Sequence, residues 1–374
     1  MSKKSAIVIG AGIVGLATAR ALAIKGYAVK IIERNFKATG ASIRNFGMIW
    51  PIGQPAGKQY ERSIKSRDIW KVIGNSSKLW YDPVGSLHLA YHDDEWKVLQ
   101  ELFEIFKKEG RDVQLLNKEA LLKKSAIAKE KNCVGGLYSN EEIIVDPREA
   151  ISILPVYFQE KLNIHFIWGK TVTAVRSGQI AIGSEIIRCD QVFICSGSDF
   201  ETLYPEEYAK FPLTKCKLQM MRLVEAGLSR IGPALCGGLS LIHYASFKAA
   251  PSLHLLKKRY EEDMSEFLNL GIHVMVSQNQ TGQLTVGDSH EYGLSPDPFD
   301  RSHINNMILE YLQEFTSLNR PELIESWNGV YGKLTNGQPD LFSSPEPDVF
   351  IVNAVGGAGM TVSFGLTEEL INTL

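Results

Sequence analysis

Hydrophobic and polar positions divide this chain into stretches of two textures. Near the N-terminus an unbroken apolar run from Ala6 to Ile9 predicts a strand buried on both faces. A helix is predicted from about Ile13 to Lys25, stopped by Gly26, and a second strand from Ala28 to Ile32. After Glu33, "RNFKATGASIRNFGMIWPIGQP" lacks periodicity and reads as loop with one helical turn. "KQYERSIKSRDIWKVIGNSS" reads as a helix with Tyr60, Ile64, Ile69 and Val72 on one face. Trp96, Leu99, Leu102, Phe103 and Phe106 recur at three and four, predicting an amphipathic helix with that face in the core, and "NKEALLKKSAIAK" a shorter one. Asp146 as N-cap and Pro147 at the first helical position open a helix through "DPREAISILPVYFQEKL". "NIHFIWGKTVTAV" and "IIRCDQVFICSGS" are apolar strands. From about Leu213 to Glu325 the texture changes to longer alternating strands and one helix, "SHINNMILEYLQEF". "DVFIVNAVGGAGMTVSFGLTEELINTL" then predicts strand, glycine-rich turn and a helix from about Val362.

The first of these units carries Gly10, Gly12 and Gly15, spaced G-x-G-x-x-G. Behind Lys3 and Lys4, the run with Ala17–Thr18–Ala19 also has the outline of a secretion signal. Three glycines interrupt that apolar core, however, and the pattern continues to a second strand ending on Glu33, 23 residues after Gly10. Taken as β-α-β, Gly10 allows the turn, Gly12 lets backbone approach a pyrophosphate, and Gly15 lets helix and strand close up. Ile13 and Val14 open the helix, whose free N–H groups attract phosphate. Glu33 is placed to accept both ribose hydroxyls, with Arg34 beside it. A dinucleotide site is the stronger reading.

Length and composition limit the remaining choices. A chain of 374 residues exceeds what one core usually serves, so two domains are expected. A net charge of −2 gives no basic field for nucleic acid or an anionic membrane. No other apolar run reaches about 18 residues, so no membrane-spanning segment is expected. The five cysteines are scattered, which fits reduced thiols in a cytoplasmic protein and offers no metal site. Dinucleotide-binding texture at the start, middle and end implies interleaved domains: 1–82, 143–213 and 328–374 for the cofactor, 83–142 and 214–327 for the substrate. The expected class is α/β, α+β overall, with a Rossmann-like domain interleaved with a mainly antiparallel one. A cofactor pinned by three distant segments is closer to an embedded flavin than to an exchangeable nicotinamide. The oligomeric state stays open, a homo-oligomer included.

Across essentially its full length the sequence resembles the D-amino-acid oxidase, glycine oxidase and sarcosine oxidase family of flavoproteins. The resemblance rests on Gly10–Gly15 with Glu33, on "CDQVFICSGS", on "SWNGVYGKLTNGQPDLF" and on "NAVGGAGMTVSFG". It implies FAD, held by Gly357, Ala358, Gly359, Met360 and Thr361 around the flavin, by Val172 on the adenine side, and by Ser42, Arg44 and Asn45 in the early loop. Ser196 and Gly197 end a strand where backbone approaches a bound group. Relatives that attach flavin covalently use a Cys or a Trp-His pair; Leu334–Thr335 and Ser42–Asn45 supply neither, so FAD is expected to be non-covalent. Where relatives grip a substrate carboxylate with Arg, this chain has Tyr331, and Lys333 two residues on can replace the charge. A point-charge Lys suits phosphonate and carboxylate alike. Thr285 stands where sarcosine-oxidase relatives hold an oxygen-activating Lys. "ASIRNFGMIWPIGQP", "KLQMM" and "LTVGDSHEYG" are similar to a subgroup associated with aminophosphonate breakdown.

The implied chemistry is hydride transfer from the α-carbon of a small amine bearing an anionic group to flavin N5. Imine hydrolysis follows, with electrons passing to oxygen or another acceptor. His290, Tyr331 and Lys333 are the catalytic candidates, and Arg222 and Asn45 the substrate-binding ones. Each has a plainer reading. His290 is otherwise a surface loop histidine, Lys333 a solvated lysine, Arg222 an outward strand arginine, and Tyr331 core packing with one satisfied hydroxyl. His243 and Lys248 rank below these. A flavin-dependent hydroxy-acid dehydrogenase and a non-catalytic flavin-binding subunit are the alternatives.

Overall fold

The computed structural model describes residues 3–374. The first β-α-β unit forms as its pattern predicts: β1 (Ser5–Ile9), α1 (Ile13–Ile24) and β2 (Ala28–Glu33). β1 and β2 are parallel and lie inside a six-stranded sheet ordered Leu341–Glu346, Val349–Asn353, Gln191–Ile194, β1, β2, His165–Trp168. Only Leu341–Glu346 runs antiparallel to its neighbour. The helices Lys58–Ser76, Pro147–Leu162 and Gly359–Thr373 join α1 in the core packed on this sheet.

The second large sheet is mainly antiparallel and has nine strands. Its axis is the long strand Leu213–Val224, paired along its length with Glu322–Leu334 and partly with Leu284–Gly287. Helices Asp93–Lys108 and Ser302–Phe315 pack in its core, so the fold is a mixed α/β arrangement of two interleaved sheet systems. Two of the boundaries drawn from sequence fall at or inside continuous strands: 213/214 at the head of Leu213–Val224, and 327/328 within Glu322–Leu334.

Several local expectations change. In Lys58–Ser76 the buried residues are Arg62, Ser63, Ser66, Ile69, Trp70 and Ile73, whereas Val72 is 61% exposed. The reason is a close helix crossing: a Cβ on Gly365 would lie 2.2 Å from the Arg62 carbonyl oxygen, and Gly365 N–H donates to Ser66 Oγ at 2.8 Å. The last helix begins at Gly359, three residues before the expected Val362. Helices Leu253–Asp263 and Ser265–Asn269 occupy a stretch expected to be mainly strand. Asp146 caps its helix as expected, accepting from Arg148 and Glu149 N–H.

Arg222 does not face outward. It is 2% exposed, with its guanidinium 3.7 Å from Asp146 and over the Trp327 ring. All five cysteines are buried and free. Among the described residues no helix is long and apolar enough to cross a membrane.

The sheet junction buries one acid completely. Glu142 accepts from Ile52 N–H and Ser86 Oγ, each at 2.9 Å, and burial raises its pKa to about 7. Its folded pKa lies above its unfolded one, so the stability it costs is absent below the unfolded pKa and grows as pH rises to about 7. Glu142→Gln mimics the protonated side chain. Denaturant melts should show it matching the parent at pH 5 and exceeding it at pH 8, by up to about 3 kcal/mol.

Candidate active site

The C-terminal ends of three adjacent parallel strands, β1, Gln191–Ile194 and Val349–Asn353, supply three loops to one cavity of about 600 Å³. Ligands of open α/β sheets bind at this edge. Gly10 adopts φ +104°, and a Cβ there would lie 2.4 Å from the Cys195 carbonyl oxygen. A Cβ on Gly15 would lie 1.9 Å from the Gly10 carbonyl oxygen, so Gly15 sets the distance between α1 and β1 rather than lining the cavity. Gly10, Gly12, Ile13 and Val14 do line it.

The donors of this turn are already apportioned. Glu33 Oε2 accepts from Ala11 N–H at 2.9 Å, and Oε1 accepts from Asn35 N–H and Nδ2. Of a carboxylate's roughly four acceptor sites this leaves one, and accepting the expected pair of ribose hydroxyls would require Asn35 Nδ2 to give up its 3.3 Å contact. Ser42 Oγ accepts from Ile13 N–H at 2.9 Å. The first intrahelical bond runs from Leu16 N–H to Gly12, so Val14, on the cavity wall, has no intrahelical acceptor for its N–H and can meet a phosphate.

The other cofactor candidates line the same cavity: Arg34, Ser42, Arg44, Asn45, Val172, Ser196, Gly197 and Gly357 through Thr361. Arg34 pairs with Asp199 at 2.8 Å. Asn45 Nδ2 donates to the Ala41 and Ser42 carbonyls while its Oδ1 accepts from Gly47 N–H, so its amide is spent on shaping the loop. Arg44 donates to the Asn328 carbonyl at 3.2 Å. Thr361 Oγ1 accepts from Trp50 N–H and the Met360 carbonyl from Trp70 Nε1, fastening the C-terminal helix to the early loop and its helix. Asn353 Nδ2 donates to Ser196 Oγ and Tyr208 Oη, joining two strand ends. Glycine backbone on three sides, two helix N-termini and one acidic ribose acceptor are the features an elongated dinucleotide requires, and the residues fit FAD.

At its other end the cavity reaches the antiparallel sheet. Tyr331, Lys333 and His290 all line it. Tyr331 Oη would lie 3.3 Å from a Cβ on Gly357, so it stands directly over the glycine-rich turn that the resemblance assigns to the flavin. Lys333 Nζ lies 5.2 Å from the centroid of the Tyr292 ring. His290 is held by a 2.9 Å contact between Nδ1 and the Gly271 carbonyl, and burial lowers its pKa to about 4. Arg222 and Thr285 are buried outside the cavity wall. Of three further wall residues, His243 was ranked low from sequence, and His273 and Asp288 were not among the candidates. His243 shows its surface to the cavity, and its ring centroid is 3.7 Å from that of His273. His273 Nε2 is 3.1 Å from Asp288 Oδ1. Burial pulls both imidazoles well below their ordinary range and pushes Asp288 well above its own. For His273 the one hint in sequence is its alternation with Met275, which also lines the cavity.

Comparison with known proteins agrees with this architecture. The family model described as FAD dependent oxidoreductase matches residues 5–372, and the chain belongs to that family. It is therefore an FAD-dependent oxidoreductase, and FAD is its cofactor. Over 99% of its length it is 24% identical to the tRNA 5-methylaminomethyl-2-thiouridine biosynthesis bifunctional protein of Pseudomonas syringae. A 38% portion is 27% identical to glycerol 3-phosphate dehydrogenase of Caloramator mitchellensis. The chain spans 55% of the first protein and 30% of the second. L-proline dehydrogenase from P. horikoshii superposes with a TM-score of 0.80 at 20% identity, covering 100% of this chain and 94% of that one. Glycine oxidase from Geobacillus kaustophilus gives 0.79 at 16% identity, covering 100% and 95%.

A methyl group at residue 15 would separate α1 from β1 and displace the phosphate-facing turn. Gly15→Ala should lower FAD affinity at least about tenfold. The ratio of flavin to protein absorbance after gel filtration measures it.

Proposed function

We propose that the protein oxidises a small amine or amino acid bearing an anionic group, acting on a CH–NH or CH–NH2 donor. The carrying observation is that Lys333, Tyr331 and uncharged imidazoles share one cavity with the glycine cradle. Bound FAD supplies a two-electron acceptor for the hydride released from the amine α-carbon. Lys333 holds the substrate anion as a point charge, and Tyr331, above Gly357, limits where the α-carbon can lie. His290, with its pKa lowered to about 4, is a poor proton acceptor near neutrality and serves as a hydrogen-bonding group. The amine therefore enters unprotonated. Water adds to the imine product and releases an aldehyde or keto acid with ammonia or a primary amine. Oxygen or another acceptor takes the electrons.

The names of glycine oxidase, L-proline dehydrogenase and the methylaminomethyl-nucleoside biosynthesis protein all point to amines or amino acids. FAD is held non-covalently in this reading. Cys195, the cavity-wall thiol, lies 3.7 Å from Thr18 Oγ1, and burial raises its pKa to about 12. The aminophosphonate resemblance and the lysine anchor favour a phosphonate or carboxylate head group. The match to glycerol 3-phosphate dehydrogenase supports a second reading, oxidation of a hydroxyl-bearing anion in the same cavity.

Anaerobic spectra with glycine, sarcosine, D-alanine, 2-aminoethylphosphonate, its N-methyl form and glycerol 3-phosphate separate these readings. Bleaching of the flavin band near roughly 450 nm by an amine supports the proposal. Bleaching by glycerol 3-phosphate alone favours the hydroxyl reading, and a yellow protein that nothing reduces favours a binding subunit. Lys333→Met should raise KM for the bleaching substrate by about 10- to 100-fold while kcat changes less. For the parent, kcat/KM should rise with pH toward the pKa of the free amine, without a break from His290 between about pH 5 and 8.

A further inference from the structure

In the reaction described above His290 serves only as a hydrogen-bonding group, and His243, His273 and Asp288 have no stated duty. One ring nitrogen from each of His243, His273 and His290 lies within 4.8 Å of the other two. We propose that these three imidazoles, with Asp288 beside them, form a binding site for one divalent transition-metal ion of the zinc type, on the substrate side of the cavity.

The arrangement is built. His273 and Asp288 face each other across a reciprocal backbone pair, His273 N–H to the Asp288 carbonyl at 3.2 Å and Asp288 N–H to the His273 carbonyl at 3.0 Å. His290 is fixed twice, by its N–H to the Leu270 carbonyl at 2.8 Å and by Nδ1 at the Gly271 carbonyl. With Nδ1 donating to that carbonyl, the lone pair is on Nε2, the second-shell arrangement that orients metal-bound histidines. His273 Nδ1 and Asp288 Oδ1 are both buried without a hydrogen-bond partner, and the 3.1 Å approach of Asp288 Oδ1 to His273 Nε2 lacks hydrogen-bond alignment. Unpaired polar atoms of that kind are rare in a folded protein; ligation through His273 Nδ1 would satisfy that atom and leave the Nε2 proton facing Asp288 Oδ1.

Three imidazoles, with a carboxylate beside them rather than among them, are a donor set for zinc and its neighbours rather than for magnesium or calcium. A tetrahedral ion with bonds of about 2.0 Å needs its nitrogens about 3.3 Å apart, which small ring rotations from the present spacing supply. Lys333 faces the cluster closely enough to disfavour charge on His243 and His290, and it opposes a cation. A bound cation would favour the ionised form of Asp288, which then offsets that charge. A coordination position turned to the cavity could then take the substrate anion together with Lys333. That last role rests on the amine reading, whereas the ion's binding does not.

The test uses the FAD-loaded protein, stripped with chelator and titrated with zinc chloride in a calorimeter. One zinc per chain is expected, bound at least about tenfold more weakly in His243→Gln and in His273→Ala. An unchanged flavin spectrum shows that each variant is folded. Should His273→Ala not fold, zinc K-edge absorption of the parent protein decides, with three imidazoles expected in the ligand shell. Absence of binding at millimolar zinc overturns the proposal, as does binding that survives the His243 change or a shell without imidazole. Titration with inorganic phosphate is the remaining arm. Histidine-dependent phosphate binding without zinc binding would assign the cluster to anion recognition and sink the metal site. Zinc binding is read without turnover, so a protein that no amine bleaches would still answer this question.

Discussion

The site depends on how closely backbone can approach backbone at the end of β1. Gly15 sits against the Gly10 carbonyl and Gly10 against that of Cys195, with no room for a Cβ at either position. That contact brings the N-terminus of α1 to the strand ends and puts Glu33 within reach of Ala11 N–H. The phosphate-facing turn, the ribose acceptor and the Ser196–Gly197 loop inherit their positions from it. Side-chain chemistry is then added on a frame that backbone packing has already set.

A second set of bonds closes the frame from the other end of the chain. Trp50 N–H on Thr361, Trp70 Nε1 on the Met360 carbonyl and Gly365 N–H on Ser66 tie the last helix to the early loop and the helix after it. These polar groups are buried and paired, so they specify one alignment as well as adding stability. The cofactor cradle is thus completed only when residues near 45–70 and 353–365 have both folded onto the first β-α-β unit.

Much of this was legible in sequence because its signals are local. Glycine spacing, the acid closing β2 and the Asp146–Pro147 cap each declare themselves within a few residues. Other features escaped for identifiable reasons. Helix Leu253–Asp263 buries only Leu256 and Tyr260, one pair four apart, which is too thin a stripe to register as periodicity. The last helix was expected late because glycine reads as a breaker, whereas Gly359 packs against Ile13 and Val355 and Gly365 against Arg62. Ile64 and Val72 outweighed Ser63 and Ser66 by hydropathy, yet the helix crossing selects small residues. Arg222 looked solvent-facing until Asp146 and Trp327, distant in sequence, supplied its partners. His243, His273 and His290 come from a turn, a strand approach and a strand exit, and no spacing rule joins them.

Strand Glu322–Leu334 is hydrogen-bonded along Leu213–Val224, carries Asn328 to Arg44, presents Tyr331 and Lys333, and bridges to Val355 through Lys333. It works as a common beam between the antiparallel-sheet wall of the cavity and its glycine-rich wall. Because one continuous strand is bonded to both walls, their separation is tied to its backbone. In a lineage of such enzymes, new specificity can then be gained by changing residues projecting from this strand while its backbone register, and with it the distance to the flavin, stays the same.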